Sequence, residues 1–341
     1  MPPMDHRIPI TVLTGFLGSG KTTLLNTLLR QAGMKDTAVI INEIGETGLD
    51  HILARSVEDT YIADNTVLLG SGCLCCILRT ELADALRDLF FKRTLLAIPT
   101  FDRLIIETTG LADPGPILAN LLNADVIRDH YRLDAVAVTV DSVHGLQQLE
   151  THAEARKQAA VADVLLLTKS DLAEDAAVTQ LSARLQALNP GAAQYRIRQG
   201  CIDAACIVGV GLFDQHSALA QPQRWLRAPT TPRTAVQGRH QAVHDDTIST
   251  CTIELPAPPA WARLEPRLQA LCKAHGAHLL RLKGIIYASD QASPMAVHAV
   301  QHTLYPPTFL EGWHEPHAVS RLVLIGQSLD PAEIRQALIH A

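Results

Sequence analysis

The sequence predicts an α/β fold in which a mostly parallel sheet is followed by a smaller C-terminal α+β domain. In residues 1–200, short runs of β-branched and other apolar residues alternate with helical patterns, as is typical of parallel strands buried on both faces. The chain has 341 residues, which exceeds the usual size of a single hydrophobic core, so two domains are expected.

Hydrophobic spacing defines the elements of the first domain. Leucines at positions 24, 25, 28 and 29 share one helical face, and Gly33 is a stop signal for that helix. Leu82, Leu86, Leu89 and Phe90 form the inward face of a second helix. The predicted strands are 10–13, 38–41, 66–69, 103–106, 135–140 and 164–167, and the predicted helices are 22–30, 79–93, 152–161 and 178–188.

The composition changes after about residue 220. Pro222, Pro229 and Pro232 interrupt a polar stretch that lacks periodicity, which predicts a linker. We therefore assign 1–220 to the first domain, 221–244 to the linker and 245–341 to the second domain. The pattern of the second domain predicts strands at 248–255, 279–288, 297–304 and 321–325, and helices at 260–275 and 332–339.

Charge and hydropathy narrow the classes of partner. The formal net charge is -6, which argues against nucleic acid as a partner, because phosphate binding needs a basic surface. Residues 1–7 lack the apolar core of a signal peptide, and apolar runs such as 164–167 are too short to span a bilayer. We therefore expect a cytoplasmic protein with no membrane partner.

The segment from Gly15 to Thr22 matches the pattern G-x-x-x-x-G-K-S/T at every fixed position. Its glycines allow backbone N–H groups to point at phosphates, and the helix that follows adds the positive end of its dipole. Lys21 is expected to neutralise the β- and γ-phosphates, and the Thr22 hydroxyl to bind Mg²⁺. A predicted strand precedes the loop and a predicted helix follows it, which indicates a P-loop NTPase domain. The residues expected to contact nucleotide here are Gly15, Phe16, Leu17, Gly18, Ser19, Gly20, Lys21, Thr22 and Thr23.

A second phosphate-facing element is expected at the end of the strand 103–106. Glu107 follows this strand and is expected to hold Mg²⁺, often through water, while the N–H of Gly110 meets the γ-phosphate. Leu111 stands where many small GTPases have the glutamine that orients water. Either another acid such as Glu43, Glu46 or Asp113 does this, or a partner completes the site, so intrinsic hydrolysis is expected to be slow.

The segment from Thr168 to Asp171 resembles the guanine-recognition pattern N-K-x-D, with Thr168 in place of asparagine. Asp171 is placed to accept hydrogen bonds from the guanine ring N–H and exocyclic amine, which adenine cannot donate in that pattern. Lys169 is expected to lie along the face of the base. These residues favour GTP over ATP as the substrate.

Three of the seven cysteines, Cys73, Cys75 and Cys76, lie within four residues of one another, between a predicted strand and a predicted helix. Flanking glycines allow the backbone to turn so that three thiolates reach one metal ion. Zinc prefers four tetrahedral ligands, and Glu43 or His51 is a candidate for the fourth. Redox-active thiols are the alternative.

The remaining cysteines and several histidines are given ordinary roles. We predict that Cys201, Cys206, Cys251 and Cys272 are buried small hydrophobic residues. His298 and His302 could share a strand face, and His240 and His244 lie in the predicted linker, but metal binding is the less favoured interpretation at both places.

Taken together, these motifs closely resemble the CobW family of metal-linked GTPases, and the resemblance covers nearly the whole chain. It implies a GTPase that moves or inserts a metal, commonly zinc and in some branches cobalt or iron, into a client metalloprotein. The family often carries long histidine runs between its domains, and this chain lacks them. The residues that carry the resemblance are Gly15–Thr22, 42–46, 73–76, 107–110, 281–284 and 321–326.

The sequence leads to one favoured functional hypothesis and two alternatives. The favoured hypothesis is a GTP-hydrolysing metallochaperone in which the nucleotide controls metal affinity. The alternatives are a redox- or stress-sensing GTPase whose cysteines are oxidised, and a nucleotide switch that activates a cobalt or iron enzyme. A homodimer or the client is a candidate to complete the catalytic site.

Overall fold

The structure, a computed structural model, describes residues 6–42, 67–71, 79–123, 125–210, 248–310 and 319–339. These residues form one parallel and one antiparallel sheet, which confirms the predicted fold class. The proposed boundaries of the linker lie in 211–247, outside the described residues. None of the helices in the described ranges is both long and apolar enough to cross a membrane.

The first sheet is parallel throughout its described strands, in the order β3-β2-β4-β1-β5-β6-β7 defined by the ranges below. Its central strands are buried along nearly their whole length, because the residues on both faces are apolar. The carboxyl ends of all these strands meet at one edge of the sheet, where binding sites of open α/β folds form. The strands are Ile8–Gly15 (β1), Thr37–Asn42 (β2), Val67–Ser71 (β3), Arg103–Glu107 (β4), Tyr131–Asp141 (β5), Val164–Thr168 (β6) and Ala193–Arg196 (β7).

Helices cover both faces of this sheet. The predicted inward leucines of the first helix are buried with Met34 against one face, and those of the second helix are buried with Leu118 against the other. The sequence prediction missed three helices, the first of which begins at Pro114-Gly115-Pro116. Those turn-forming residues obscure the helical pattern, although proline is well accommodated in the first turn. The helices are Lys21–Leu29 (α1), Arg79–Thr94 (α2), Pro114–Asn123 (α3), Asp125–His130 (α4), Gly145–Thr151 (α5), Ala153–Val161 (α6) and Asp175–Leu188 (α7).

The C-terminal part is an antiparallel sheet with two helices packed on it. Trp261, Leu264 and Leu268 on one helix are buried against Leu282 and Leu324 of the sheet. The elements are Ile248–Glu254 (β8), Trp261–His275 (α8), Leu279–Ile286 (β9), Met295–Val300 (β10), Thr303–Leu304 (β11), Thr308–Phe309 (β12), Arg321–Gln327 (β13) and Pro331–Ile339 (α9).

One strand prediction in this part is wrong. The segment 297–304 is not a single strand, because β10 ends at Val300 and the chain reverses into β11. Gln301 takes a φ of 49° in this turn, a left-handed conformation that ends regular pairing. His302 therefore lies in the turn and does not share a strand face with His298.

Candidate functional site

The loop between β1 and α1 curls where its glycines allow it. Gly15 has a φ of 147°, and a Cβ atom there would overlap Thr139 of β5. Gly18 and Gly20 also have positive φ values, of 67° and 87°. The predicted phosphate-loop conformation therefore depends on glycine at these positions.

Buried hydroxyl groups hold this loop to the neighbouring strand. The Ser19 and Thr139 hydroxyls lie 2.7 Å apart, and both side chains are buried. Lys21 Nζ donates to the carbonyl of Gly15 at 2.9 Å and to that of Phe16 at 3.3 Å. The lysine amine thus lies over the loop at the N-terminal end of α1, where the helix dipole also favours an anion.

The predicted magnesium ligands lie together beside the loop. The Thr22 hydroxyl donates to Glu107 Oε1 at 2.8 Å, and Glu107 is buried at the end of β4. Leu13 and Glu107 are partners in the pairing of β1 with β4, so the acid and the loop leave the sheet at the same edge. A hydroxyl and a carboxylate are hard oxygen ligands, so this pair fits Mg²⁺.

Gly110 touches the phosphate loop directly. A Cβ atom on Gly110 would lie 2.7 Å from the backbone of Leu17, so only glycine fits. Asp113, one candidate for orienting water, instead accepts a hydrogen bond from the Gly115 N–H and forms an ion pair with Lys157 at 3.0 Å. Asp113 therefore ties the segment after Gly110 to α6.

Sequence reasoning missed Gln158 on α6. Its side chain is 1% exposed, and Nε2 donates to the carbonyls of Gly110 and Ala112, both at 3.1 Å. A glutamine on the same helical face as Ala155 and Ala159 is a signal visible in the sequence. The sequence does not show which carbonyl groups the Gln158 amide contacts, because these partners are more than forty residues away.

Thr168 contacts the phosphate loop, and this gives a structural reason for its identity. Its hydroxyl lies 2.7 Å from the carbonyl of Ser19 and 3.2 Å from that of Val140, and the residue is buried. Thr168 therefore ties the end of β6 to the loop, a contact that does not require the expected asparagine.

Asp171 and Lys169 occupy the corner where the sequence predicts the base. Asp171 is exposed, and its Oδ1 lies 3.4 Å from the N–H of Gln199. Lys169 has a φ of 54°, and its amine pairs at 2.7 Å with Asp141, a buried acid that the sequence reasoning missed. Asp141 also accepts hydrogen bonds from the N–H groups of Val143 and His144, so it orients Lys169 while the Asp171 carboxylate faces solvent.

The predicted metal ligands Cys73, Cys75, Cys76 and Glu43 lie outside the described residues, as does His51. Within the described ranges, no group of three His, Cys, Asp or Glu side chains is arranged to hold a metal ion. The sheet does bring the preceding residues together, because Asn42 at the end of β2 pairs with Ser71 at the end of β3.

The prediction for the other cysteines is only partly right. Cys272 is buried and Cys206 and Cys251 are half-buried, whereas Cys201 is exposed. Cys201 lies in a surface loop closed by a bridge to Arg198, which keeps it out of the core. Burial raises the pKa of the Cys272 and Cys251 thiols to about 11.

Comparison with known proteins gives consistent results over the whole chain. Residues 9–196 match the family model of the CobW/HypB/UreG nucleotide-binding domain, and residues 248–341 match that of the cobalamin synthesis protein CobW C-terminal domain. The chain is 34% identical to the zinc chaperone YjiA of Escherichia coli over 97% of each protein. It is 29% identical to the zinc chaperone CobW of Pseudomonas aeruginosa, over 97% of this chain and 91% of that protein.

Solved structures of YjiA have the same overall fold. The zinc-bound YjiA GTPase from E. coli matches with a TM-score of 0.68 and 30% identity, over 98% of both chains. A zinc-bound triple mutant of YjiA, in which alanine replaces one glutamate and two consecutive cysteines, matches with a TM-score of 0.70 and 30% identity. That match covers 98% of this chain and 100% of the mutant.

Proposed function

The chain belongs to the CobW family, and from this premise we propose that it is a GTP-hydrolysing zinc chaperone that delivers the metal to a client protein. The activity is that of a GTPase. The observation that carries the proposal is the joining of a complete phosphate loop to Glu107 at the sheet edge where β2 and β3 also end. A metal-binding segment that starts at this edge would respond to the nucleotide.

Hydrolysis rests on residues of the first domain. Lys21 would offset the charge of the β- and γ-phosphates, and backbone N–H groups of residues 15–20 would enclose them. Thr22 and Glu107 would hold Mg²⁺, which supplies positive charge at the phosphates when bound. Gly110, packed on Leu17, would place its N–H toward the γ-phosphate. Asp171 would accept hydrogen bonds from guanine and so exclude ATP.

We place the zinc at Cys73, Cys75 and Cys76, with Glu43 as a fourth ligand. Thiolates and a carboxylate suit Zn²⁺, and a reducing cytoplasm would keep the thiols free. Support comes from the pairing of Asn42 with Ser71, since Glu43 and Gly72 directly follow these residues. Ile41 pairs with Glu107 in turn, so movement at the magnesium site would reach the strand that precedes Glu43. Co²⁺ and Fe²⁺ are the competing cargoes.

A zinc titration against a chromophoric chelator tests this proposal. It is run on reduced protein with GDP and with a non-hydrolysable GTP analogue. Wild type is expected to bind one tight zinc ion whose affinity differs between the nucleotides and falls on acidification, because thiolates must lose protons to bind. The triple Cys73→Ser, Cys75→Ser, Cys76→Ser variant is expected to lose that ion, whereas Cys201→Ser keeps it. Lys21→Ala is expected to keep the ion and lose its dependence on nucleotide.

The measurement that decides the test is the affinity for the zinc ion whose binding depends on the nucleotide. Total bound zinc does not decide it, because the YjiA triple mutant is itself zinc-bound. Unchanged tight binding in the triple Cys→Ser variant would eliminate the cluster as the zinc site. Tight binding that ignores the nucleotide would refute the coupling. If protein purified in the reduced state binds no zinc and its cysteines are readily oxidised, the redox-sensing alternative is favoured. If Co²⁺ or Fe²⁺ binds more tightly than zinc, the enzyme-activator alternative is favoured.

The catalytic site is proposed to be completed by a second copy or by the client. Leu111 is 51% exposed and Leu17 is 52% exposed, and Gly110 lies directly against Leu17. These two leucines would lie at the rim of the phosphate site, and Leu111 stands where many small GTPases have the glutamine that orients water. A partner that covers them would bury apolar surface and could supply the missing group.

A further inference from the structure

The helix α6 links the nucleotide site to the C-terminal sheet. It has nine residues and packs against β1 and β5 in its own domain and against β8, β9 and β13 of the other. Its residues Ala155, Ala159 and Ala160 are small and buried, so the backbone approaches its neighbours closely. Movement of this helix would therefore change the packing in both domains.

The N-terminal end of α6 and its residue Gln158 contact the nucleotide site. The ring of His152, which precedes α6, stacks on that of Phe16 in the phosphate loop, with centroids 4.5 Å apart. Further along, the Gln158 amide donates to the carbonyls on both sides of Leu111. These two bonds orient the peptide planes that carry the N–H groups of Leu111 and Asp113, directly after Gly110.

The other end of α6 is held by the C-terminal domain. Asp163 follows the helix, and one carboxylate oxygen accepts hydrogen bonds from Arg281 and Lys283 of β9 at 2.5 Å each. The other oxygen accepts from the N–H of Val136 in β5 at 2.9 Å. Burial alone would raise the pKa of Asp163, but the two cations lower it below its usual value, so the carboxylate is charged.

A second contact reaches the same segment from the C-terminal domain. The side-chain amide of Gln301, in the turn between β10 and β11, lies against Gly115, so a Cβ atom at that position would displace the amide. Gly115 is two residues beyond Asp113, which pairs with Lys157 on α6. The segment after β4 is therefore held on one side by α6 and at its end by the C-terminal domain.

We infer that Gln158 is a positioning residue for GTP hydrolysis, and that α6 and Asp163 make the rate of hydrolysis depend on the C-terminal domain. In this inference, the γ-phosphate contacts Gly110, and Gln158 links the segment that contains Gly110 to α6. Arg281 and Lys283, which bind Asp163, resist movement of the C-terminal end of α6. The inference rests on GTP hydrolysis but not on zinc delivery. By linkage, a nucleotide-driven shift of α6 would also change the fit of the two domains.

Steady-state GTP hydrolysis by the zinc-free, full-length protein tests the inference, together with GDP affinity measured on the same samples. Gln158→Met keeps the side-chain length and removes the amide, so kcat is expected to fall at least about tenfold while the Kd for GDP changes less than about threefold. Lys283→Met is expected to lower kcat by about threefold or more with the same small effect on GDP affinity. In the double variant Gln158→Met, Lys283→Met, the decrease in kcat is expected to be no larger than in Gln158→Met alone, because both substitutions act through α6.

Thr250→Val is the matched control. The Thr250 hydroxyl donates to the carbonyl of Leu188 at 2.8 Å, so this variant removes a contact between the domains that does not involve α6. Its kcat is expected to stay within about twofold of wild type. Lys283→Gln replaces Lys283→Met if the latter does not fold, and the same outcomes apply.

Four results would overturn the inference. A wild-type kcat in Gln158→Met would remove its positioning role, and equal losses of kcat and GDP affinity would make that role merely structural. An effect of Lys283→Met no larger than that of Thr250→Val, or fully additive losses in the double variant, would exclude α6 as the route. Failure of the zinc titration would leave every one of these results unchanged, so the two proposals fail separately.

Discussion

Replacing Thr168 by valine separates two possible roles of this residue, holding the phosphate loop and reading the base. Valine has nearly the same shape but lacks the hydroxyl that lies 2.7 Å from the carbonyl of Ser19. Because the bond is buried, its loss leaves an acceptor without its partner, which costs about 1–3 kcal/mol. If about 1–2 kcal/mol of this cost reduces the free energy of nucleotide binding, the affinity for nucleotide falls by roughly 5–30-fold.

The same reasoning predicts no change in base preference. Thr168 contacts the loop and β5, so GTP and ATP should lose affinity together and the ratio of their Kd values should stay within about threefold of wild type. Asp171→Asn should instead change the base preference, because the exposed Asp171 carboxylate is proposed to accept hydrogen bonds from guanine. It is expected to lower the preference for GTP by at least about tenfold while phosphate contacts remain.

Competition with a fluorescent nucleotide measures both quantities for GTP, GDP and ATP. Thr179→Val is the matched control, since that hydroxyl bonds the carbonyl of Asp175 on the exposed face of α7. It is expected to leave every Kd unchanged. A tenfold change in the ratio of GTP to ATP affinity in Thr168→Val, with GDP affinity intact, would refute the loop-holding role and return Thr168 to base recognition.

Two further predictions concern the partner and the thiols. If a second copy or the client covers Leu17 and Leu111, specific activity should rise with protein concentration or on adding client, and a concentration-independent rate as high as that of a partner-activated GTPase would contradict this. In the triple Cys73→Ser, Cys75→Ser, Cys76→Ser background, alkylation at pH 8 should modify exposed Cys201 first and Cys272 only on unfolding, because burial raises the Cys272 pKa to about 11 and keeps its thiol protonated. Mass spectrometry of the time course measures this order, and early modification of Cys272 would show that its core opens readily.

The residues around the phosphates could be predicted because their positions follow from local rules. A strand, a glycine loop and a helix place Gly15 to Thr22 at the carboxyl edge of a parallel sheet, and Glu107 reaches the same edge at the end of its own strand. The contact between Thr22 and Glu107 then follows from parallel pairing of β1 with β4. No knowledge of distant packing is needed for either inference.

The missed residues all depend on contacts between distant segments. Asp141 is 28 residues from Lys169, and Gln158 is 48 residues from Gly110. The sequence shows a polar residue on an apolar helical face or at a strand end, but it does not show which carbonyl or amine that residue meets. The contact of Thr168 with the phosphate loop is hidden for the same reason, because its partner Ser19 is 149 residues away.

The charged contact between the domains is better explained by α6 as a link than by stability. Asp163 with Arg281 and Lys283 could be replaced by apolar residues at little or no cost in stability, because burying charges is itself unfavourable. Burial and the nearby Arg281 lower the pKa of Lys283 to about 8, which is a measure of that cost. Such a contact is nevertheless directional, because one carboxylate oxygen of Asp163 accepts hydrogen bonds from both cations. An apolar contact would be less directional, whereas these hydrogen bonds are expected to hold the end of α6 against movement that begins at Gly110.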